Sequence, residues 1–378
     1  MAKNKYRVLV TGANGFIGKN LILRLEESDK YEVVKFSRSN NPSELPELVA
    51  KVDAVVHLAG ENRPIDEQCF FKVNVGLTKA ICDAVRADIT ATGRNIVVLF
   101  ASSIQAALEN PYGLSKREAE ITLQSLAKDV SNSNIIFRLP GVFGKWCKPN
   151  YNSVVATFCY NAARGLPLQI HEPEKLLKLV YVDDVVSAII CNLESKLPRG
   201  LLEVEVEPVY QISLGELASK VLSFKECRTS LKVDKVGVGL SRALYSTYLS
   251  YLPSNEFSYK LQEHKDHRGV FVEFLKTQDS GQFSFFTAKP GVTRGSHYHH
   301  TKTEKFLVVK GKAKFRFRHI VTNEIVEINS SEGNCEVIDT IPGWSHDITN
   351  IGATELIVFL WANENFDRDK PDTIACEV

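Results

Sequence analysis

A chain of 378 residues exceeds what one hydrophobic core usually sustains, so two domains are expected before any motif is read. Its 46 lysines and arginines nearly cancel its 45 aspartates and glutamates, which excludes a net field that would draw nucleic acid or an anionic membrane. The eight cysteines never form a C-x-x-C pair and no apolar stretch is long enough for a signal peptide or membrane span, so the expectation is a cytoplasmic protein with reduced, mostly buried thiols.

Short β-branched runs at 7–10, 32–36, 54–58, 96–100 and 134–138 alternate with amphipathic stretches such as 17–27 and 75–85. That is the pattern of βα units around a parallel sheet and predicts an α/β, doubly wound, Rossmann-type N-terminal domain. Thr11-Gly12-Ala13-Asn14-Gly15-Phe16-Ile17-Gly18 joins the first strand to the first helix. Glycines there permit a tight turn and close approach of a pyrophosphate to the helix N-terminus, although glycines at such a turn can also serve packing alone. Ser37 and Arg38 end the second strand where an acid would hold a ribose 2′-hydroxyl. Arg38 can pair with a 2′-phosphate instead, which favours NADP(H) over NAD; the alternative is a solvated surface arginine. Ser102 and Ser103 follow the fourth strand, and Tyr112-Gly113-Leu114-Ser115-Lys116 opens a helix. Positions four apart share a helix face, so Lys116 is expected beside Tyr112, its charge favouring the phenolate. Such a tyrosine can donate a proton to a carbonyl oxygen as hydride arrives while a serine hydroxyl steadies that oxygen.

Past residue 255 the texture changes to closely spaced strand-like runs at 271–276, 283–288, 305–309, 313–318, 324–329 and 355–361, predicting an all-β jelly roll. The junction is expected within 245–257, giving domains 1–252 and 253–378. Gly291, His297, His299, Glu304 and Gly311 stand in the spacing G-x5-H-x-H-x4-E-x6-G. Period two puts both histidines on one strand face, and the carboxylate completes a site for a borderline cation such as zinc, with manganese or iron also compatible. His300 reads as a solvated loop residue. The spacing resembles the cupin pattern, whose second motif makes His346, after Pro342-Gly343-Trp344-Ser345, the fourth ligand.

The first 200 or so residues resemble the extended short-chain dehydrogenase/reductases that act on nucleotide sugars. The matches are the glycine loop, His57-Leu58-Ala59-Gly60, Asn74-Val75, Ser103, Tyr112, Lys116, Arg138-Leu139-Pro140-Gly141-Val142-Phe143-Gly144 and Tyr181-Val182-Asp183-Asp184. The resemblance implies that Leu58, Ala59, Gly60 and Asn74 line the cofactor, that Ser103 and Tyr112 bind the reacting oxygen, and that Lys116 also holds the nicotinamide ribose. Only eight residues separate Ser103 from Tyr112, fewer than in that family. The C-terminal domain also resembles dTDP-4-keto-sugar 3,5-epimerases through Asp266-His267-Arg268-Gly269-Val270-Phe271-Val272-Glu273 and Arg294-Gly295-Ser296-His297-Tyr298. There the arginines hold a diphosphate and the histidine removes a proton, a role that competes with metal for His297. His297 is assigned to metal and the base is left open, with Lys302 as a candidate. Finally, Gly144-Lys145-Trp146-Cys147-Lys148-Pro149-Asn150-Tyr151-Asn152 and Ser246-Thr247-Tyr248-Leu249-Ser250-Tyr251-Leu252-Pro253 resemble the CapF-type bifunctional enzymes of bacterial capsule synthesis. That resemblance implies a homodimer of the UDP-N-acetyl-L-fucosamine pathway. Its cupin would epimerise carbon 3 of a UDP-4-keto-6-deoxy-N-acetylhexosamine, and its reductase would then reduce carbon 4 with NADPH. The alternatives are a dTDP-4-keto-deoxysugar reductase with a structural cupin, and a sugar sensor that binds cofactor without turnover.

Overall fold

A computed structural model describes residues 5–64, 66–256, 259–299, 302–320, 322–334, 336–341, 343–369 and 371–378 of the chain. His300 and Pro342, singled out above, and Cys335, one of the eight cysteines, lie outside the described residues. The chain folds as two compact units, Met1–Val221 with Ala243–Leu252, and Leu222–Arg242 with Pro253–Val378.

The first unit is built on a six-stranded sheet in the order Tyr31–Phe36, Tyr6–Thr11, Ala54–His57, Val97–Ser103, Ser133–Leu139 and Gly200–Val204, parallel throughout. The central strands are apolar at successive positions because both faces are covered. Val8 and Val10 pack with Leu21 and Leu25 of the helix Phe16–Glu26 and with Val185 and Ile189 of the helix Val182–Glu194. Leu9 faces the other way, into Ile81 and Val85 of the helix Gly76–Thr92 and Leu123 of the helix Pro111–Val130. This is the expected doubly wound arrangement. A small sheet of Gly141–Phe143, Leu176–Tyr181 and Tyr210–Ser213 was not foreseen.

The second unit is a β-sandwich. One sheet contains Gly269–Thr277, Gln282–Ala288, Leu356–Ala362, Glu304–Lys310 and Val337–Asp339, and the other runs Ile325–Ser331, Lys312–His319, Trp344–Asn350, Thr293–Tyr298 and Ile374–Ala375. Phe286, Phe306 and Val358 from the first sheet meet Phe315, Phe317 and Ile348 from the second in one core. The predicted all-β texture is therefore present, with further strands that the apolar pattern missed, among them Thr293–Tyr298 and Trp344–Asn350. Cys82, Cys159 and Cys227 are buried, but Cys69, Cys147 and Cys376 are only half-buried and Cys191 is exposed. The expectation of mostly buried thiols is thus corrected, since a reduced cysteine is tolerated at the surface as well. All seven are free, and no helix among the described residues is long and apolar enough to cross a membrane.

Candidate functional sites

In the first sheet the winding direction reverses between Tyr6–Thr11 and Ala54–His57, so a crevice opens over their carboxyl ends. Gly12 sits there at φ +69°, and a Cβ on it would lie 2.7 Å from the Ala59 backbone nitrogen. Only glycine lets the two strand ends approach this closely. The result is a cavity of about 680 Å³ lined by Gly12, Asn14, Gly15, Ser37, Arg38, Leu58, Ala59 and Gly60. Phe16, Ile17 and Gly18 form the first turn of the adjoining helix. Asn40, Lys72, Val73, Gly76 and Leu77 also line the cavity and were not predicted; Lys72 stands two places before the Asn74 that was. Arg38 reaches the wall with its side chain 89% exposed, yet its Nη2 already donates to Glu61 Oε2 at 2.9 Å. Glu61 follows directly on Gly60, and its other carboxylate oxygen accepts from the Tyr151 hydroxyl at 3.2 Å. A second opening, of about 790 Å³, is lined by Lys19, Lys35, Trp146, Lys148 and Arg164 among others and contains none of Ser103, Tyr112 and Lys116.

Ser103 ends its strand and caps the single turn Ile104–Ala107, its Oγ accepting from the Gln105 backbone at 3.2 Å. That one turn accounts for the short spacing to Tyr112. Asn110 then caps the helix Pro111–Val130 by accepting from the Gly113 nitrogen at 2.8 Å. Lys116, 5% exposed, donates to the Ala101 carbonyl at 2.9 Å. Burial pushes it down to about 8 against the opposing pull of Glu120. It also borders the cofactor crevice, because a Cβ on Gly60 would come within 3.2 Å of both Lys116 Nζ and Asn74 Oδ1. The expected electrostatics at Tyr112 need correction. Burial raises its phenol above the usual tyrosine range, and the Ser103 hydroxyl partly offsets this. Lys116 is itself desolvated and turned toward the strand. The phenol consequently keeps its proton at neutral pH, which is the form a proton donor requires.

A buried string of hydrogen bonds ties these parts together. Thr78 Oγ1 donates to the Asn74 carbonyl at 2.6 Å, so it accepts from His57 Nε2 at 2.9 Å, and His57 Nδ1 then accepts from Thr11 Oγ1 at 2.7 Å. Burial, aided by the charge of Lys116, pushes His57 down to about 3, so the ring is neutral. Asn74 completes the string. Its Nδ2 donates to Ser115 Oγ at 2.9 Å and its Oδ1 accepts from the Glu61 nitrogen at 2.8 Å. Asn74 was expected on the cofactor wall, but it is 1% exposed and lies beneath that wall, holding it to the Tyr112 helix.

In the second unit His297, His299, Glu304 and His346 converge, their ligand atoms all within 4.8 Å of one another. The sandwich brings three strand ends together for this: Thr293–Tyr298 carries His297 and leads to His299, Glu304 opens the strand Glu304–Lys310, and Trp344–Asn350 carries His346. Glu304 Oε2 lies 3.3 Å from His299 Nε2 and 3.4 Å from His346 Nε2, while Lys302 Nζ is 3.1 Å from Oε1. Burial opposes ionisation of Glu304, but the two histidines and Lys302 outweigh it and hold the carboxyl well below its usual range. Burial and the neighbouring His346 push His297 down to about 4, leaving a neutral imidazole. His346 is 2% exposed, and its Nδ1 lacks a hydrogen-bond partner while its Nε2 faces the Glu304 carboxylate. Buried polar atoms rarely go unpaired. Neutral imidazoles, an ionised carboxylate and an orphaned nitrogen together form a donor set that fits a divalent cation. Elsewhere in this unit Arg268 holds the Asp266 carboxyl well below its usual range, and Arg294, half-buried, donates to the Thr287 carbonyl at 2.9 Å. In the first unit Lys145 pairs with Asp183 at 2.7 Å.

The family model of NAD dependent epimerases and dehydratases matches residues 8–201, and that of the polysaccharide biosynthesis C-terminal domain matches residues 264–374. A UDP-2-acetamido-2,6-beta-L-arabino-hexul-4-ose reductase of Pseudomonas aeruginosa is 55% identical over 372 residues, 98% of this chain and 99% of the relative. A dTDP-4-dehydro-6-deoxyglucose reductase of Escherichia coli is 27% identical over 237 residues, 51% of this chain and 74% of that protein. Among solved structures, the capsular polysaccharide assembling protein CapF of Staphylococcus aureus superposes with a TM-score of 0.88 at 41% identity, over 98% of this chain and 100% of that one.

Proposed function

Because the chain belongs to the NAD dependent epimerase/dehydratase family and continues into a polysaccharide biosynthesis C-terminal domain, we propose that it is a bifunctional nucleotide-sugar enzyme of capsular polysaccharide synthesis. Its substrate is a UDP-linked 4-keto-6-deoxy-N-acetylhexosamine. A cupin domain, residues 253–378, epimerises carbon 3, and a reductase domain, residues 1–252, then reduces the carbon 4 ketone in a route to UDP-N-acetyl-L-fucosamine. The observation that carries this reading is the whole-length identity of 55% to a reductase named for a UDP-linked hexul-4-ose.

NADPH, when bound in the crevice over Gly12 and Ala59, supplies hydride to carbon 4. Tyr112, protonated, donates to the ketone oxygen, and the Ser103 hydroxyl steadies that oxygen. Lys116, beside Gly60, holds the ribose and keeps a positive charge near the reacting groups. Arg38, with Ser37, would hold a 2′-phosphate. A divalent cation, with zinc matched on donor chemistry, would be held by His297, His299, Glu304 and His346 and would stabilise the negative charge left on the ketone oxygen when the carbon 3 proton departs. The base that takes up that proton is left open, with Lys302 as a candidate that would have to act from its neutral amine; its Nζ lies 3.1 Å from Glu304. The order follows from the chemistry: the ketone acidifies the carbon 3 proton, and reduction removes that activation. The same reading makes the enzyme a cytoplasmic homodimer without nucleic-acid or membrane partners, in keeping with its balanced charge and with the free cysteines among the described residues.

The test is product analysis by NMR after incubation with the UDP-4-keto sugar and NADPH in deuterated water. One deuterium at carbon 3 and an alcohol at carbon 4 are expected. An unaltered sugar, or faster turnover of the dTDP-linked analogue, would favour the reading in which the cupin is structural.

A further inference from the structure

We infer that residues 372–378 form a strap that positions the cation cluster, fastened by Arg318 and Ser345; the inference rests on reading His297, His299, Glu304 and His346 as a metal site. The strap reaches the surroundings of every one of the four. Ile374–Ala375 pairs along the edge of Thr293–Tyr298 that does not face Trp344–Asn350, with Ala375 opposite His297. The carbonyl of Asp372 accepts from His299 Nδ1, and its carboxylate accepts from the Lys302 backbone nitrogen at 2.8 Å. Lys302 in turn reaches Glu304 at 3.1 Å. Ser345, immediately before His346, donates its hydroxyl to the Cys376 carbonyl.

Two of these contacts do more than cover the cluster. A histidine whose Nδ1 carries the proton donated to a carbonyl must present the lone pair of Nε2, and His299 Nε2 is the nitrogen that faces Glu304 at 3.3 Å. The strand that carries His297 is irregular just before it, with a register shift between Gly295 and His297 and Ser296 at φ +61°. A non-glycine residue in that region persists only where its surroundings over-determine it. The Cys376 nitrogen donates to the Ser296 carbonyl at 2.9 Å and so holds the bulge that aims His297. Arg318, opposite Ser345 in the sheet register, secures the far end by donating from Nε to the Glu377 carbonyl at 3.2 Å. Its side-chain hydrogen bonds among the described residues go to Asn323, Cys376 and Glu377.

The experiment loads the full-length chain with zinc and follows its release to a colorimetric chelator, with elemental analysis giving the initial stoichiometry. Wild type is compared with Arg318→Ala, Arg318→Lys and Ser345→Ala, and thermal unfolding of each metal-stripped form reports folding. Release from Arg318→Ala and from Ser345→Ala should be about 10-fold faster, the low end of what loss of an outer-shell partner costs. Arg318→Lys, which keeps one donor, should recover part of the difference, and the stripped forms should unfold together. If Arg318→Ala does not fold, Ser345→Ala carries the test alone. Release within twofold of wild type in the folded variants overturns this inference and leaves the metal reading standing. A wild-type chain that takes up no zinc overturns the metal reading, and the strap with it.

Discussion

Arg38 and Lys116 are both cations of the first unit, and their surroundings set what each can do. Arg38 is exposed and engaged with Glu61, so binding of a 2′-phosphate exchanges one anionic partner for another of higher charge. NADPH should therefore be preferred over NADH, and Arg38→Ala should reduce that preference by about 10-fold or more, since each factor of ten corresponds to about 1.4 kcal/mol. Catalytic efficiencies with the two cofactors check this, and equal use of both by the wild type would contradict it. Lys116 is buried, which depresses it to about 8 from roughly 10.4 for a free lysine. Between those values the unfolded chain binds more protons than the folded one, so the lysine's contribution to stability rises with pH from about 8 toward 10 and is flat below 8. In urea unfolding at pH 8 and pH 10, wild type should gain on the order of 1 kcal/mol relative to Lys116→Met. The residue types and spacing of Ser103, Tyr112 and Lys116 were legible in sequence. The direction of the tyrosine shift was not, because helical spacing gives proximity on a face but does not report desolvation or a competing carbonyl such as that of Ala101.

At the scale of elements, the helix Pro111–Val130 shows why its third residue is Gly113. A Cβ on Gly113 would lie 2.2 Å from the Gln105 carbonyl oxygen and 2.8 Å from that of Leu108, both backbone atoms that cannot swing aside. Gly113→Ala should force the helix start off the turn beneath it, costing about 1–3 kcal/mol as overpacking does and displacing the Tyr112 hydroxyl. Chemical denaturation and reductase turnover measured on the same sample test both effects; unchanged stability would show that the helix end is free to shift. The apolar pattern found the central strands of both units, whose faces are buried, but passed over Thr293–Tyr298 and Trp344–Asn350. These read TRGSHY and WSHDITN, with polar groups where a core strand would be apolar, because they supply ligands and pair with Arg316 through Asp347. Ligand spacing located the histidines where hydrophobicity could not. Asp372 escaped both signals, since it acts on His299 through its backbone, which carries no mark in the sequence.

The whole molecule places the Tyr112 group in one compact unit and the His297 group in the other. The two chemistries should therefore separate by mutation. Tyr112→Phe removes the proton donor and should slow reduction by about 10²-fold or more, while exchange of the carbon 3 proton with deuterium survives. His299→Ala should stop that exchange and leave the reductase able to turn over a ketone that still fits. Loss of exchange in Tyr112→Phe, or exchange at the wild-type rate in His299→Ala, would refute the division. Composition and length were enough to anticipate two units, but the passage of Leu222–Arg242 into the second was illegible, because its sequence is helical and strand-like by local pattern and its membership is decided by distant contacts. The string from Thr11 through His57, Thr78 and Asn74 to Ser115 is satisfied within the protein alone. The conformational entropy of bringing the glycine turn and the tyrosine helix into register is therefore lost once, when the chain folds, and not again at each catalytic cycle, so cofactor exchange can proceed against a cleft whose shape does not have to be rebuilt.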